Sequence, residues 1–457
     1  MASIPLAGNE LYRVLLTFDN EEEYESFSRP TPSTPRRFIE YINLKEQNSI
    51  TAGNPVGIVS PNSLSLRLFD EDNLLNPDNT SSPYYGYMRT GVKVELFYSE
   101  DNGESWNPLG IFYTESWGIS LSESGFTPAE LSCQDNLAYI GNMEIPPLDA
   151  YAGLNVATLL ERVFEGLGLT PEDYFIDPAL PTVNLLFAVT PGSKVNELLN
   201  SAAQSLLAWV NTNREGVITI APAFPEVTIF GELELRQSET ISFRHNELAV
   251  YNRVYLRYNK ADNRPSDIIL SLQNQVIKDG LNTFENLQAN DSILSIDGVY
   301  VSFPTDTDDA LGHISDVSYT ASQSGITINI TAELEADLVV NISVEGRTVG
   351  KTTASVKSTV KSRDPKVANV LHIENPFIQV ESTAQQYADA VADYLYNMER
   401  QVEVTGLFSP VLTVGQYITV STDESLFNGT YLITGVNLVH SPDGYYNTLT
   451  MIKLRGL

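Results

Sequence analysis

Residues 99–106 carry a motif of short polar side chains around a glycine. They read Ser-Glu-Asp-Asn-Gly-Glu-Ser-Trp, which matches the Asp-box pattern S-x-D-x-G-x-x-W. The short side chains of Ser99 and Asp101 can hydrogen-bond the turn backbone, and Gly103 can adopt a positive φ without a Cβ clash. Sialidases repeat this motif, whereas this sequence has one copy and few arginines to bind a sugar carboxylate. We therefore predict a stabilised hairpin with Trp106 packed beneath it, rather than a sialidase site.

Other patterns for nucleophilic or phosphate chemistry are weak. The sequence has no G-x-S-x-G motif and no complete phosphate loop; residues 346–352 resemble part of one, but the first glycine is one residue too close. Cys133 is the only cysteine and lies in a strand-like run without a nearby basic residue, which indicates a buried structural thiol. Trp106 and Trp117 flank a hairpin strand, so we expect them in the core rather than in a sugar platform.

Acidic clusters are the remaining candidates for binding. Residues 306–309, and residues 70–72 with Asp78, carry oxygen ligands that suit Ca²⁺, but neither has the spacing of an EF-hand. Paired carboxylates for glycoside hydrolysis can be nominated throughout so acidic a chain, which makes that signal uninformative. The four histidines are scattered. The sequence therefore predicts no catalytic residue, no metal ligand, no cofactor-binding residue and no cofactor.

Length and charge limit the class of protein. The chain has 457 residues, 27 Lys+Arg against 58 Asp+Glu, and a net charge of -31, and its length suits roughly three domains. Binding to nucleic acid or to anionic membranes requires Lys and Arg, so a general DNA binder is excluded and an anionic-membrane binder is disfavoured. Residues 11–18 indicate a strand rather than a signal peptide, and no run approaches the roughly 20 apolar residues of a membrane span. We expect synthesis in a cytoplasm.

Most of the secondary structure predicted around these residues is β-strand. Residues 64–68 alternate apolar and polar side chains with period two, which is typical of a strand with one buried face. Four other runs are rich in β-forming residues: 38–42, 92–98, 111–116 and 129–133. Together they predict a first antiparallel barrel over residues 1–145.

Residues 146–238 are predicted to form a small α/β unit. Apolar residues in 156–164 recur at helical spacing behind Asn155, a suitable N-cap. A second helix is predicted to begin with Ser193 as its cap. A turn at 213–216 then leads into a strand.

The β pattern returns in the second half of the chain. Residues 239–265 are predicted to be connecting strands. Residues 266–360 are poor in aromatic residues and rich in Thr, Ser and Asp, with short strands at regular spacing. We predict an inserted β module there, with turns at Ser324-Gly325 and Glu345-Gly346.

Residues 361–457 are predicted to form a helix and a closing barrel. Apolar residues in 384–395 make the clearest helical stripe in the chain, with Ser382 or Thr383 as the cap. Strand runs follow, with Asn-Gly and Asp-Gly hairpin signals at 428–429 and 443–444. The predicted fold class is mainly β with minor α/β: two tube-like antiparallel β-barrel domains, a small two-helix α/β unit and an inserted β-sandwich-like module.

This order of parts resembles the phage tail hub family, which comprises baseplate hub proteins and the N-terminal hub region of tail-tip proteins. The resemblance covers most of the chain and rests on order and spacing, while residues 266–360 are longer than a minimal hub needs. The stretches that carry it are 64–68, 70–73, 82–85, 91–95, 110–112, 154–168, 191–207, 219–221, 251–254, 375–378, 384–399, 410–412, 414–417, 431–436 and 440–444.

The resemblance implies a structural protein of a virion tail tip or baseplate, not an enzyme. It implies a homotrimer whose two barrels per subunit present a quasi-sixfold ring to the tail tube or a distal tail protein. A central spike or fibre would bind below the ring. The tape-measure protein and the DNA would pass through its channel without specific binding during genome ejection. The acidic composition fits, because a lumen lined by Asp and Glu would repel phosphate.

Two other functions remain open at this point. The Asp-box and the β modules are also compatible with a carbohydrate- or receptor-binding tail protein, in which deleting residues 266–360 would abolish adsorption. A glycan or peptidoglycan hydrolase would turn over cell-wall substrate and lose that activity on substitution of one Asp or Glu. A threefold ring in electron micrographs would favour the hub.

Overall fold

The structure is a computed structural model, and the statements below concern the part of the chain that it describes. The described residues are 10–29, 37–48, 55–120, 128–146, 154–186, 194–235, 242–246, 251–289, 292–304, 314–321, 325–360, 369–423, 427–442 and 444–455. The acidic cluster at 306–309 and the turn residue Ser324 lie outside them.

The N-terminal part is a curled antiparallel sheet with a single buried face. Its elements in chain order are β1 (Leu11–Thr17), β2 (Glu23–Phe27), β3 (Arg37–Gln47), β4 (Ile58–Val59), β5 (Ser63–Asp70), β6 (Lys93–Ser99), β7 (Asn107–Ile119) and β8 (Ala129–Gln134). The alternation predicted for 64–68 is confirmed, because Leu64, Leu66 and Leu68 are buried in a core that they share with Val94 and Phe112. All strands except β4 pair in the order β3-β5-β8-β7-β6-β1-β2.

The next part is a small α/β unit with its own core. Its elements are α1 (Asn136–Gly141), α2 (Val156–Gly166), β9 (Tyr174–Ile176), α3 (Val195–Ser205), β10 (Ala208–Thr212) and β11 (Ile218–Pro222). Asn155 caps α2 as predicted, since its side chain accepts the Thr158 N–H at 2.7 Å. Ser193 lies outside the described residues, and the N-cap of α3 is instead Lys194, whose N–H donates to Glu197 at 3.4 Å.

A second curled sheet closes the chain and is continuous with the first. Its strands are β12 (Ile229–Leu235), β13 (Ser242–Asn246), β22 (Met398–Gly406), β23 (Tyr417–Thr422), β24 (Gly429–Ser441) and β25 (Gly444–Leu454). The pairing order is β13-β22-β25-β24, with β23 and β12 added beside the start of β24. The β12–β23 pair is parallel, which departs from the predicted purely antiparallel barrel.

Strand β24 joins the two curled sheets. Its first residues pair with β23, whereas the stretch from Gly435 to His440 pairs with β3 of the N-terminal sheet. A β-bulge falls between Ile433 and Gly435, at the point where the partner changes. Bulges bend a strand and increase its twist, so this one lets a single strand serve both sheets.

Residues 266–360 supply most of an inserted module of two sheets. The strands are β14 (Arg253–Asn263), β15 (Asp267–Ile277), β16 (Gly280–Leu287), β17 (Ser292–Ser302), β18 (Ile314–Ala321), β19 (Ile326–Ala332), β20 (Leu338–Thr359) and β21 (Val370–Asn375). The flanking strands β14 and β21 complete the larger sheet of the module. A five-stranded sheet built on β20 packs against the three-stranded sheet β16-β19-β18. The far half of β20 pairs with β14 and thereby joins the module to the body.

The turn predicted at Glu345-Gly346 is wrong, because both residues lie inside the continuous strand β20. Gly346 is required there by a close backbone approach. A Cβ on it would lie 2.3 Å from the carbonyl oxygen of Ser295, where β17 carries a bulge. A glycine inside a strand can mark such an approach as well as a turn.

Helix α4 (Glu381–Asn397) follows β21 in the chain. Ala384, Tyr387, Ala388, Val391 and Leu395 are buried, as the helical stripe predicted. The predicted caps Ser382 and Thr383 are wrong, since the N-cap is Val380, which has no side-chain capping bond. The helix is instead held by packing against β14 and β20 in a shared core. The fold class, mainly β with minor α/β, is confirmed.

Candidate functional site: a polar trough and a buried junction

The unburied face of the two joined sheets is a continuous polar trough. Register places Thr448 opposite Asn437, Asn437 opposite Lys45, Lys45 opposite Ser63, and Ser63 opposite Gln134. Residues that face each other across a ladder share one side of the sheet. One strip of polar side chains therefore runs from β25 in the second sheet to β8 in the first.

The trough is lined mainly by uncharged groups. Two depressions of about 530 and 400 Å³ lie along it, one over β3, β5, β7 and β8 and the other over β3, β22, β24 and β25. Hydroxyl and amide side chains predominate in them: Ser65, Ser116, Ser132, Asn437, Thr448 and Thr450. Such groups offer hydrogen bonds without a fixed charge.

The trough carries few charged groups, and Arg67 and Glu130 among them form a salt bridge. The guanidinium of Arg67 donates to Glu130 at 2.6 Å and lies 3.9 Å from Glu40. The hydrogen bond from Arg67 holds the pKa of Glu130 below its ordinary value. In the second depression Lys45 is accompanied by Glu403. A polyanion on this face would thus meet few cations to bind.

A buried ion pair lies beneath the trough, where the three parts of the body meet. Arg214, from the turn predicted at 213–216, donates to both carboxylate oxygens of Glu46 on β3, at 2.8 and 2.9 Å. It also donates to the carbonyls of Pro410 and Leu412, at 2.6 and 2.8 Å. Burial alone would lower the pKa of the Arg214 guanidinium, but the Glu46 carboxylate outweighs it and raises that pKa.

This junction fixes the relative position of the three parts. Glu46 belongs to the first sheet, Arg214 to the α/β unit, and Pro410 and Leu412 to the closing part of the chain. The side chains of Arg214 and Glu46 are only 13% and 5% exposed. A bidentate guanidinium–carboxylate pair has a defined geometry, so it sets orientation as well as contact. The sequence predicts the turn at 213–216 but does not show that its arginine is buried.

The Asp-box forms the predicted hairpin turn. Ser99 Oγ accepts the Gly103 N–H at 2.7 Å, and Asp101 accepts the N–H of Ser105 at 2.9 Å. Hydrogen bonds from Ser105 and Ser99 hold the pKa of Asp101 far below its ordinary value. Trp106 packs on Arg13, whose guanidinium carbon lies 4.8 Å from the ring centroid. The polar groups of the motif are thus used within the turn.

The other sequence candidates also have structural roles. Cys133 is buried, and burial raises the pKa of its thiol, which confirms a structural thiol. Trp117 packs against the first core and donates its Nε1–H to the carbonyl of Leu75 at 3.1 Å. Asp70 accepts the N–H groups of Asp72 and Leu74, both at 3.0 Å, so its carboxylate shapes a turn.

Within the described residues, no group of three or more His, Cys, Asp or Glu side chains is placed to hold a metal ion. In the same part of the chain, no helix combines the length and apolar character needed to cross a membrane.

Comparison with solved structures places this arrangement among the folds of phage-type tail proteins. A tail protein from Neisseria meningitidis MC58 matches with a TM-score of 0.52 and 10% identity, covering 97% of this chain and 96% of that chain. The 43 kDa tail protein of prophage MuSo2 from Shewanella oneidensis matches with a TM-score of 0.53 and 11% identity, covering 96% and 98%. At such identities the likeness concerns the fold.

Sequence comparison adds no relative. No protein-family model matches the chain. A search of curated proteins likewise finds no match.

Proposed function

We propose that the chain is a structural tail hub, or baseplate hub, of a phage or phage-like particle and that it has no enzymatic role. The observation that carries the proposal is the pair of curled β sheets joined through β24, with one polar trough across both. Support comes from two tail proteins that share this fold over nearly their whole lengths.

The two joined sheets suit a change of symmetry from six to three. Each subunit offers two curled units side by side, so three subunits in a closed ring offer six. A head-to-tail ring of this kind joins two different patches of each subunit. Such a trimer would present a quasi-sixfold face to the tail tube or a distal tail protein, and a threefold face to a central spike or fibre.

In this trimer the polar trough would form the channel wall. Its hydroxyl and amide groups, and the salt bridge between Arg67 and Glu130, give DNA and the tape-measure protein little to bind during genome ejection. The sequence led us to expect a lumen dominated by Asp and Glu. The trough contains Glu130 and Glu403 beside Arg67 and Lys45, and uncharged polar groups outnumber these charged residues. The proposed wall is therefore close to neutral rather than acidic, and it avoids adhesion mainly by carrying few cations.

We keep the domain boundaries that were predicted from the sequence. Residues 1–145 would be the first hub barrel, 146–238 the helical α/β unit, 239–265 connecting strands, 266–360 the inserted module and 361–457 the helix with the closing barrel. The protein would be located in the virion tail tip or baseplate after synthesis in the host cytoplasm.

Static light scattering on the purified chain tests the proposal. A trimer would have three times the 50.5 kDa mass of the chain. The measurement is made at micromolar concentration, alone and with a tail-tube partner. A monomer under both conditions would count against the ring and hence against the hub.

A further inference from the structure

Three strands of the larger sheet pack on helix α4 with one side only. Strand β14 pairs with the far half of β20 and with β21. Val254, Leu256 and Val356 lie in the core that these strands share with α4. Neighbouring residues along a strand point to opposite sides of a sheet. The alternate residues therefore form an outer face, whose members include Arg253, Tyr255, Arg257, Lys351, Lys357 and Glu374.

The outer face is cationic, although the chain as a whole is strongly acidic. Its charged side chains are all exposed, and they comprise four Lys and Arg against Glu374 alone. The net charge of the face is thus 4 − 1 = +3, whereas the rest of the chain carries −31 − 3 = −34. Charge of opposite sign gathered on one exposed face is the pattern that steers and fixes an acidic partner.

Two of these cations have no carboxylate partner in the part of the chain that the structure describes. Arg257 lies 3.6 Å from Glu374 and so occupies the carboxylate of the face. Within the described residues, Arg253 and Lys357 form no salt bridge. The Lys357 ammonium lies 5.8 Å from the ring centroid of Tyr255. A cation–π contact of this kind orients the ammonium without neutralising its charge, so Arg253 and Lys357 are both able to bind acidic groups.

The shape and charge of the molecule favour a protein surface over DNA as the occupant. The three strands offer an area of about 30 by 15 Å, from the spacings of residues and strands in a sheet. DNA carries its charge along its whole length, so it would extend beyond so small a face and meet the acidic surface around it. A second copy of this chain can instead present one acidic patch to the face.

We propose that the outer face docks against an acidic surface of a second copy of this chain. A closed ring of subunits needs two different patches on each subunit that fit each other, and the outer face would be one of them. This inference rests on the subunit ring of the proposed hub. An area of roughly 400 Å² is about half of what one side of a standard interface buries, so the face would supply part of the contact.

Analytical ultracentrifugation of the full-length protein over a range of concentrations tests the proposal. The double variant Arg253→Glu/Lys357→Glu should raise the dissociation constant of the assembly by about tenfold or more, because two attractions become repulsions. The control is Arg162→Glu/Lys278→Glu, which alters the net charge equally at two exposed residues elsewhere. It should stay within about threefold of the wild type. The neutral variant Arg253→Gln/Lys357→Gln should give an intermediate loss, and added salt should weaken the wild type more than the reversed variant.

Carbodiimide cross-linking of the wild type identifies the contact directly, since this reagent joins a lysine to a carboxylate that touches it. Equal amounts of ¹⁴N- and ¹⁵N-labelled protein are mixed before the reaction. Peptides that link Lys351 or Lys357 of one label to an Asp or Glu of the other label are expected. Such links come only from two different copies, so they cannot arise within one chain.

The results separate this inference from the hub itself. A trimeric wild type whose association is weakened equally by the two charge-reversed variants, or by neither, would overturn the inference and leave the hub standing. A wild type that stays monomeric throughout would contradict the subunit ring and the inference together. Retention of a short DNA duplex by the wild type, lost in Arg253→Glu/Lys357→Glu alone, would make the face a DNA contact instead. Circular dichroism checks that every variant is folded.

Discussion

Replacing Arg214 by methionine should destabilise the whole body of the protein. The substitution keeps much of the side-chain volume but leaves the Glu46 carboxylate buried without its partner, at 5% exposure. It also removes the donors that bind the carbonyls of Pro410 and Leu412 at 2.6 and 2.8 Å. Breaking a buried pair from one side costs about 3–5 kcal/mol. Urea unfolding followed by tryptophan fluorescence would measure this as a lower midpoint.

The reason for the effect can be separated from a general loss of packing. Adding Glu46→Gln to the Arg214→Met variant removes the uncompensated charge, so part of the loss should return, with a coupling of up to about 3 kcal/mol. The control is Arg67→Met, because its partner Glu130 is 43% exposed; this surface pair should contribute about 0–1 kcal/mol. A loss below about 1 kcal/mol for Arg214→Met, or equal losses at 214 and 67, would refute the proposed role of the junction.

Two further changes test other parts of the fold. Gly346→Ala should destabilise the inserted module by about 1–3 kcal/mol or more, because the new Cβ would lie 2.3 Å from the Ser295 carbonyl oxygen. The control Gly118→Ala should cost far less, since the nearest atom to its Cβ is 3.8 Å away. Hydrogen exchange of the β17 and β20 amides measures the loss, and equal exchange in the two variants would contradict the prediction. Burial raises the pKa of the Asp135 carboxyl from 3.8 to about 6, so the folded protein favours the protonated carboxyl. The stability that this group contributes is therefore fully present below pH 4, and about 3 kcal/mol of it is lost as the pH rises through 6. Asp135→Asn should flatten that part of the urea stability–pH profile, and an unchanged slope would contradict the assignment.

Periodicity was enough to find the strands and helices that carry long, regular patterns. The alternation around Leu64 and the helical stripe around Val391 each come from one buried face, and the spacing of the apolar residues shows that face in the sequence. Short elements escaped prediction. Strands β4 and β9 have two and three residues, too few to show a period, and they exist because neighbours in the α/β unit supply their hydrogen bonds.

The candidate site was less predictable because it depends on contacts between distant parts of the chain. Arg214 is separated from Glu46 by 168 residues, and its local sequence is that of an ordinary solvated turn. Gly346 was read as a turn signal, although the cause of the glycine is a bulge on β17. The total charge of -31 did not predict which side chains line the trough, because composition does not show on which face of a sheet a residue lies. Only the pairing register of the strands shows that the hydroxyl and amide groups of the trough lie on one face of the sheets.

Cryo-electron microscopy of the purified assembly can show whether the chain forms a ring. If the chain is a hub, the particles should show a threefold ring with a central hole, and the trough residues Ser65, Asn437 and Thr448 should face that hole. The two curled sheets of each subunit should appear as six similar units around it. Particles without a ring, or a ring whose hole is lined by another face of the chain, would contradict the account.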